Sequence, residues 1–407
     1  MDIDQEGIDQ YEGKIEEYTQ AIELDPDSIE DHYNRALTYA RLDKYEEAIE
    51  DFNRVLELNP DSIGGHFNRA VALLKLGRYE ESVVDFNRSL ELNPDLTSVF
   101  GKRALAYLKL EMYEEAIDDY NKVLELDSEV FMAYLNRGVA YRAIGEYDLA
   151  LNDFQRAIDI DPDSAEVHHN RAILFSKTRK YDESIEDFER VIEIDPDYII
   201  NFFNRGLVFA RLGRYEEATI DFDHAIVEDP ESSEAFYNRG IARAKLGLYE
   251  GAISDFGKVM ELSPNYPVVY KNRAIAYVKL SQYDLAIEDF GRAIELDPTL
   301  YENYYERGVA KEKLGEYDGA IEDFGKAIEL NSKDTDALYH RGLSLLTLQK
   351  YDLAIEDFGR AIELDPALYE NYYERGVAEE KLGEYDGAIE DFGKAIELNS
   401  KDTDALY

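Results

Sequence analysis

An arginine and an aspartate recur along this chain sixteen residues apart, eleven times over. The arginines are Arg35, Arg69, Arg103, Arg137, Arg171, Arg205, Arg239, Arg273, Arg307, Arg341 and Arg375. The aspartates are Asp51, Asp85, Asp119, Asp153, Asp187, Asp221, Asp255, Asp289, Asp323, Asp357 and Asp391. A planar guanidinium fork meets a carboxylate through two parallel N–H···O bonds, so the chemistry implied is ion pairing. Catalytic carboxylates occur once per site rather than once per period, which argues against general acid–base work. The pairs are expected to staple neighbouring helices, one pair per period.

A second ladder runs one residue ahead of the arginines: Asn34, Asn68, Asn136, Asn170, Asn204, Asn238 and Asn272, interrupted by Lys102 and replaced by Glu306, His340 and Glu374. A side-chain amide carries two donors and an acceptor face, which matches a peptide group whatever side chain that peptide bears. Tyr33, Phe67, Phe203 and Tyr237 stand one position earlier and are placed to add side-chain pockets. These eleven residues are the candidate peptide-binding set. Beyond Lys271 the same wall turns acidic at Glu302, Glu306, Glu370 and Glu374, so a partner is expected to present a neutral stretch followed by a basic one. A basic stripe (Arg41, Lys75, Lys109, Lys177, Arg211, Lys245, Lys279, Lys313, Lys381) reads as cations at solvated helix ends.

The six histidines are His32, His66, His168, His169, His224 and His340, with no cysteine in the chain. None has a second ligand at metal-binding spacing, and three occupy an aromatic slot of the period, so packing is the reading rather than a metal site. Nucleophile-elbow, P-loop and zincin motifs are absent from the sequence. No catalytic residue, metal or cofactor is expected, and the chain reads as a non-enzyme.

The elements that carry these ladders follow from the apolar pattern. In Tyr283–Pro298 the residues Tyr283, Ala286, Ile287, Phe290, Ala293 and Ile294 form the stripe of an amphipathic helix. Asp297-Pro298 stops it, because proline lacks the amide donor and restricts the residue before it. Close relatives of this helix return every 34 residues, from Tyr11 to Tyr385. Ahead of each full copy lies another helix with a small residue at its middle, such as Ala36, Gly206 or Gly240. Phe52, Phe256 and their equivalents supply the bulky knob, and Leu-Gly-x-Tyr turns the chain, the glycine taking the left-handed cap. A fixed period of this length signals a solenoid.

The pattern resembles the tetratricopeptide repeat (TPR) family over residues 11–407: a small residue, LG-x-Y, Ala, Phe and Pro at matching spacing. The resemblance implies an all-α, right-handed superhelical solenoid of helix-turn-helix repeats, with first helices lining a concave groove and second helices outside. Two positions depart from the family: arginine replaces its leucine beside the small residue in all eleven units, and His, Phe, Tyr or Leu replaces Trp at the fourth position. The asparagine ladder resembles that lining the groove of the O-linked N-acetylglucosamine transferases, where amides hold an extended peptide backbone. The expected organisation is a single-helix half repeat at 1–28, eleven repeats over 29–402 forming one continuous array, and the start of a truncated further repeat at 403–407. Residues 283–339 and 351–407 differ only at Thr299/Ala367 and Lys311/Glu379, as an internal duplication would.

A formal charge of −45 argues against nucleic acid and anionic membranes as partners, since both recruit basic surfaces. No segment approaches 18 uninterrupted apolar residues, so no membrane span is expected, and the cytoplasm is the expected compartment. The function implied is a protein–protein interaction scaffold gripping an extended peptide segment of a partner. Two alternatives stand beside it: the targeting arm of a larger enzyme whose catalytic domain lies outside this chain, and an array that self-associates into a homo-oligomer through its open C-terminal end. The second helix of the last unit keeps an apolar stripe without a polar cap, and Gly387 and Gly393 each weaken it by roughly 0.5–1 kcal/mol relative to alanine. Hydrogen exchange is expected to show the units past Asp365 opening first; uniform protection to the terminus in a dilute monomer would contradict this.

Overall fold

Each repeat folds as two helices because its turns are encoded in local chemistry. Ser28, Ser62 and Ser232 cap first helices by accepting a hydrogen bond from the amide three residues on, and Asp334 does the same. First helices end on a left-handed residue. Gly77, Gly145, Gly213, Gly247, Gly315 and Gly383 take φ of 75–87°, as expected, while Asp43, Glu111, Arg179, Ser281 and Gln349 adopt φ of 56–62° at the same place in other repeats. Second helices from Tyr45–Leu58 to Tyr351–Leu364 end on Asp, Asn or, at 263, Ser, with φ between −121° and −147°, the conformation that a following proline demands where one is present. The side chain then accepts the amide two residues on, as Asn59 does from Asp61 and Asp195 from Asp197.

The computed structural model describes residues 5–198 and 200–402, and among these it contains helices and no strands. After Gln5–Leu24, the first helices are Ile29–Arg41, Ile63–Lys75, Thr97–Lys109, Phe131–Ile144, Ala165–Lys177, Ile200–Arg211, Ser233–Lys245, Pro267–Lys279, Tyr301–Leu314, Thr335–Thr347 and Tyr369–Leu382. Their partners are Tyr45–Leu58, Tyr79–Leu92, Tyr113–Leu126, Tyr147–Ile160, Tyr181–Ile194, Tyr215–Glu228, Tyr249–Leu262, Tyr283–Leu296, Tyr317–Leu330, Tyr351–Leu364 and Tyr385–Asp402. This is an all-α solenoid pattern of 34-residue helix pairs. The chain divides into two units, Met1–Asn201 and Phe202–Tyr407. Within each, a second helix packs on its own first helix and on the next one, and successive first helices also touch.

The core is a repeated knob and notch. Phe52, Phe86, Phe154, Phe222, Phe256, Phe290, Phe324 and Phe358 are wholly buried. Each presses on the small residue of its first helix, and a Cβ built on Gly240 would stand 2.7 Å from the Phe256 ring. Ala36, Ala70, Ala104, Ala172 and Ala274 fill the same notch elsewhere and are likewise fully buried.

Two helix ends differ from the sequence reading. The N-terminal helix begins at Gln5 rather than Tyr11, since nothing between them but Gly7 disfavours a helix. The last helix runs to Asp402, whereas its 18-residue equal at 317–334 stops at Leu330 and turns into Thr335–Thr347. The expected start of a further repeat at 403–407 lies outside the described residues.

The duplicated repeats differ in one ion pair. Lys311 Nζ lies 2.8 Å from Asp323 Oδ2. Its counterpart Glu379 buries Oε2 without a hydrogen-bond partner, and burial followed by the neighbouring Asp391 charge pushes its carboxyl above the ordinary range. A folded-state pKa raised in this way gives stability that is present at low pH and lost as pH rises through it. Glu379→Lys is expected to stabilise the last repeat by about 1–3 kcal/mol, the cost of an unsatisfied buried polar group. It should also remove that loss on raising the pH, both read from exchange protection of Tyr385–Leu398. An unchanged profile would show that Glu379 is relaxed by solvent.

Candidate functional site

The arginine–aspartate ladder is present in full. In all eleven repeats Nε and Nη2 of the arginine grip the two carboxylate oxygens of the aspartate at 2.5–3.0 Å. The aspartates are buried, at 1–5% exposure. The arginine's remaining nitrogen, Nη1, reaches the preceding second helix, donating to Thr19, Asn53, Asn87, Asn121, Gln155 and Asp223 at 2.6–3.0 Å. Glycine holds that place before Arg273, Arg307, Arg341 and Arg375, at Gly257, Gly291, Gly325 and Gly359.

In nine of the eleven repeats the fourth position of the first helix completes this cluster in one of two ways. Phe100, Tyr134, Phe202, Phe236, Tyr304 and Tyr372 place a ring 5.3–5.9 Å from the guanidinium of their own repeat. His32, His66 and His168 instead bring Nδ1 to 2.9–3.0 Å from the ladder aspartate, with Nε2 facing the carbonyl of Pro26, Pro60 or Pro162. The slot read from sequence as aromatic packing is thus also a hydrogen-bonding one, a role that residue type alone did not disclose. Its electrostatic effect is visible at Asp187. Burial pushes the Asp187 carboxyl up, but hydrogen bonds from Arg171 and His168 outweigh it and hold Asp187 below its ordinary value. Asp153, with an arginine alone, and Asp221, with an arginine and the more distant charge of His224, are left above it by burial.

On the first-helix wall, the candidate asparagines and aromatics are all half-buried. Tyr33, Phe67, Phe203 and Tyr237 pack on the ladder phenylalanines at 5.8–6.2 Å between ring centres. Two asparagines tie adjacent first helices together: Asn68 donates to Tyr33 Oη at 2.9 Å, and Asn272 to Tyr237 Oη at 3.2 Å. Asn68, Asn170 and Asn238 also donate to the carbonyl four residues back, at 2.8–2.9 Å. These amides are therefore partly engaged within the wall, a use the spacing alone did not reveal. In the acidic part of the wall, burial pushes Glu306 up while Lys271, Lys279 and His340 oppose it, and burial pushes Glu374 up. The basic stripe lies exposed at first-helix C-termini, as helix-end cations do. Among the described residues no three His, Asp or Glu side chains converge as a metal site would, and no helix is long and apolar enough to cross a membrane.

Models of the tetratricopeptide repeat match residues 29–62, 65–96, 98–129, 131–164, 165–198, 267–300 and 369–402, and a further model of the same description matches 203–267 and 305–369. A TPR repeat model matches 9–43. Among solved structures, the chain is similar to the MamA protein at 30% identity, covering 44% of this chain and 96% of that one, with a TM-score of 0.41. It is similar at 21% identity to YrrB, described as a TPR protein with an unusual peptide-binding site, covering 45% and 95% with a TM-score of 0.41. A tetratricopeptide repeat protein from Parabacteroides merdae is 21% identical, covering 61% and 98% with a TM-score of 0.48. No curated protein matches the chain.

Two substitutions probe the clamp. Asp255→Ala would leave Arg239 and Arg243, both bonded to Asp255, with Asp223 alone as their carboxylate, and is expected to cost up to about 3–5 kcal/mol in thermal or denaturant unfolding. His168→Phe installs the residue that Phe202 and Phe236 provide in other repeats. It should turn the Asp187 carboxyl from below its ordinary value to above it, as followed by NMR titration. Because a lowered carboxylate pKa stabilises above the unfolded value and a raised one does not, the variant should lose stability at neutral pH relative to pH 3. An unmoved Asp187 titration would exclude the histidine's electrostatic role.

Proposed function

Because the chain belongs to the tetratricopeptide repeat family, we propose that it is an interaction scaffold holding an extended segment of a partner protein against the wall of its first helices, acting by binding rather than by catalysis. The observation that carries this reading is the recurrence, at repeat spacing, of a half-exposed amide beside a half-exposed aromatic ring. In unit 1 the set is Asn34, Asn68, Asn136 and Asn170 with Tyr33 and Phe67; in unit 2 it is Asn204, Asn238 and Asn272 with Phe203 and Tyr237. One N–H of an amide bonded to its own helix leaves the second donor and the oxygen to meet a peptide group. The rings offer apolar area between the amides, so specificity comes from side chains while backbone bonds give a sequence-independent grip. In unit 2 the wall continues into Glu306 and Glu374, which favours a partner segment that becomes basic along its length.

A neutral hydrogen bond is worth about 0.5–1.5 kcal/mol net, so a single Asn→Ala should barely register. Replacing Asn204, Asn238 and Asn272 together should weaken a peptide selected against the chain from a random displayed library by at least about tenfold, which needs ~1.4 kcal/mol. Titration calorimetry of that peptide, beside a thermal melt of each variant, reads the effect. A triple variant that melts and binds as the parent would move the search to the second helices.

A further inference from the structure

One cation on the first-helix wall of unit 1 has no counter-charge. Arg142 stands near the end of Phe131–Ile144, beyond the ladder arginine Arg137. Every other half-buried arginine of the first helices lies against a carboxylate. Arg142 has no ion pair among the described residues, and its Nη1 is buried without a hydrogen-bond partner. Burial alone holds its pKa below the ordinary guanidinium value. In a later repeat with a charged residue at this place, Glu312 meets His340, 28 residues on, at 2.9 Å. The same step from Arg142 leads to Asn170 of the wall, and the Arg142 charge is felt by the adjacent His169. Asn170 spends one N–H on the Glu166 carbonyl at 2.8 Å and keeps the other. Neither Thr97–Lys109 nor Phe131–Ile144 carries an acidic residue, and Lys102 stands exposed where most repeats have asparagine.

We infer that Arg142, with Asn170 at the next step of the wall, is a carboxylate-binding position, and that a partner segment held by unit 1 carries an aspartate or glutamate there. The placement rests on the first-helix wall being the face that holds the partner. A guanidinium already stripped of much of its water gains more from an incoming carboxylate than a solvated one, because part of the desolvation is complete before binding. Its planar fork donates two parallel bonds to a carboxylate, and the free N–H of Asn170 adds a third donor. A lone cation of this kind suits one acidic side chain set in an otherwise neutral segment. A polyanion such as a nucleic acid would be repelled by the formal charge of −45 around it. Unit 1 therefore selects an acidic side chain, where Glu306 and Glu374 of unit 2 favour basic ones.

A displayed peptide library panned on the full chain, with the Arg142→Glu chain in excess as soluble competitor, isolates segments that depend on this residue. The expected yield is peptides that share an Asp or Glu in a neutral setting. Titration calorimetry on one of them should show Arg142→Gln weakening binding about tenfold or more at low salt. That loss should vanish for the peptide whose acid is changed to Gln. Replacing Asn136 and Asn170 together by alanine should weaken the same peptide. Arg142→Leu installs the residue that Leu74 and Leu108 provide in earlier repeats, and it should melt higher than the parent because an unpaired, half-buried charge is gone. A lower melting temperature would assign the guanidinium a structural partner and overturn the site. An empty selection, or enriched peptides with no shared acid, overturns it as well. Peptides that feel the asparagine pair yet ignore Arg142→Gln overturn the carboxylate position and leave the wall as the binding face. Peptides that ignore both variants overturn both.

Discussion

A buried carboxylate held by an arginine fork is the constraint on which every repeat depends. Asp255 sits on Tyr249–Leu262, Arg239 reaches it from Ser233–Lys245, and the same guanidinium donates to Asp223 on Tyr215–Glu228. One side chain thereby fixes three helices. An apolar pair of equal volume would give similar or greater stability, because desolvating two charges offsets most of their attraction. What the ion pair adds is intolerance of error: a slip that separates the partners leaves a charge buried and alone. Repeated along the chain, that intolerance sets the helix register, and the phenylalanine in its glycine or alanine notch sets the distance.

Placing this polar cluster between the helices has a consequence for the first-helix wall. The arginines, the fourth-position rings and three of the histidines are used up in the framework. The residues one position before the arginine take no part in the clamp, although Asn68 and Asn272 bond to the neighbouring first helix. They vary along the chain: asparagine in seven repeats, Lys102 in one, then Glu306, His340 and Glu374. A scaffold of this design separates what holds it together from what it presents, so charge and hydrogen bonding along the wall can change without disturbing the staples.

The duplication near the C-terminus shows how context overrides sequence. Lys311 forms an ion pair with Asp323, whereas Glu379 faces Asp391 with an unsatisfied oxygen. Ile328 is 6% exposed because Thr335–Thr347 packs over it, so its burial is conferred by the following repeat. Even a helix stop is conditional: Asn331–Asp334 is a turn leading into a docked helix, and the same four residues at 399–402 are helical.

The sequence by itself determined the period, both helices of each unit, the glycine turns, the proline and Asx stops, the phenylalanine knobs and the pairing of Arg35 with Asp51 and its ten equivalents. All of these rest on spacing within one unit or on local backbone preference, and such signals are reinforced each time the unit recurs. Only the tertiary structure decided where polar hydrogens go. The spacing placed Asn68 and Asn272 on the wall, but their bonds to Tyr33 and Tyr237 join residues 35 apart on different helices. The slot of His168 was legible; its bond to Asp187 was not, because an imidazole and a phenyl ring fit the same space and differ only in what lies 3.0 Å away. Likewise, the burial of Ile328 belongs to Thr335–Thr347, which packs on it, and is not written in the residue itself.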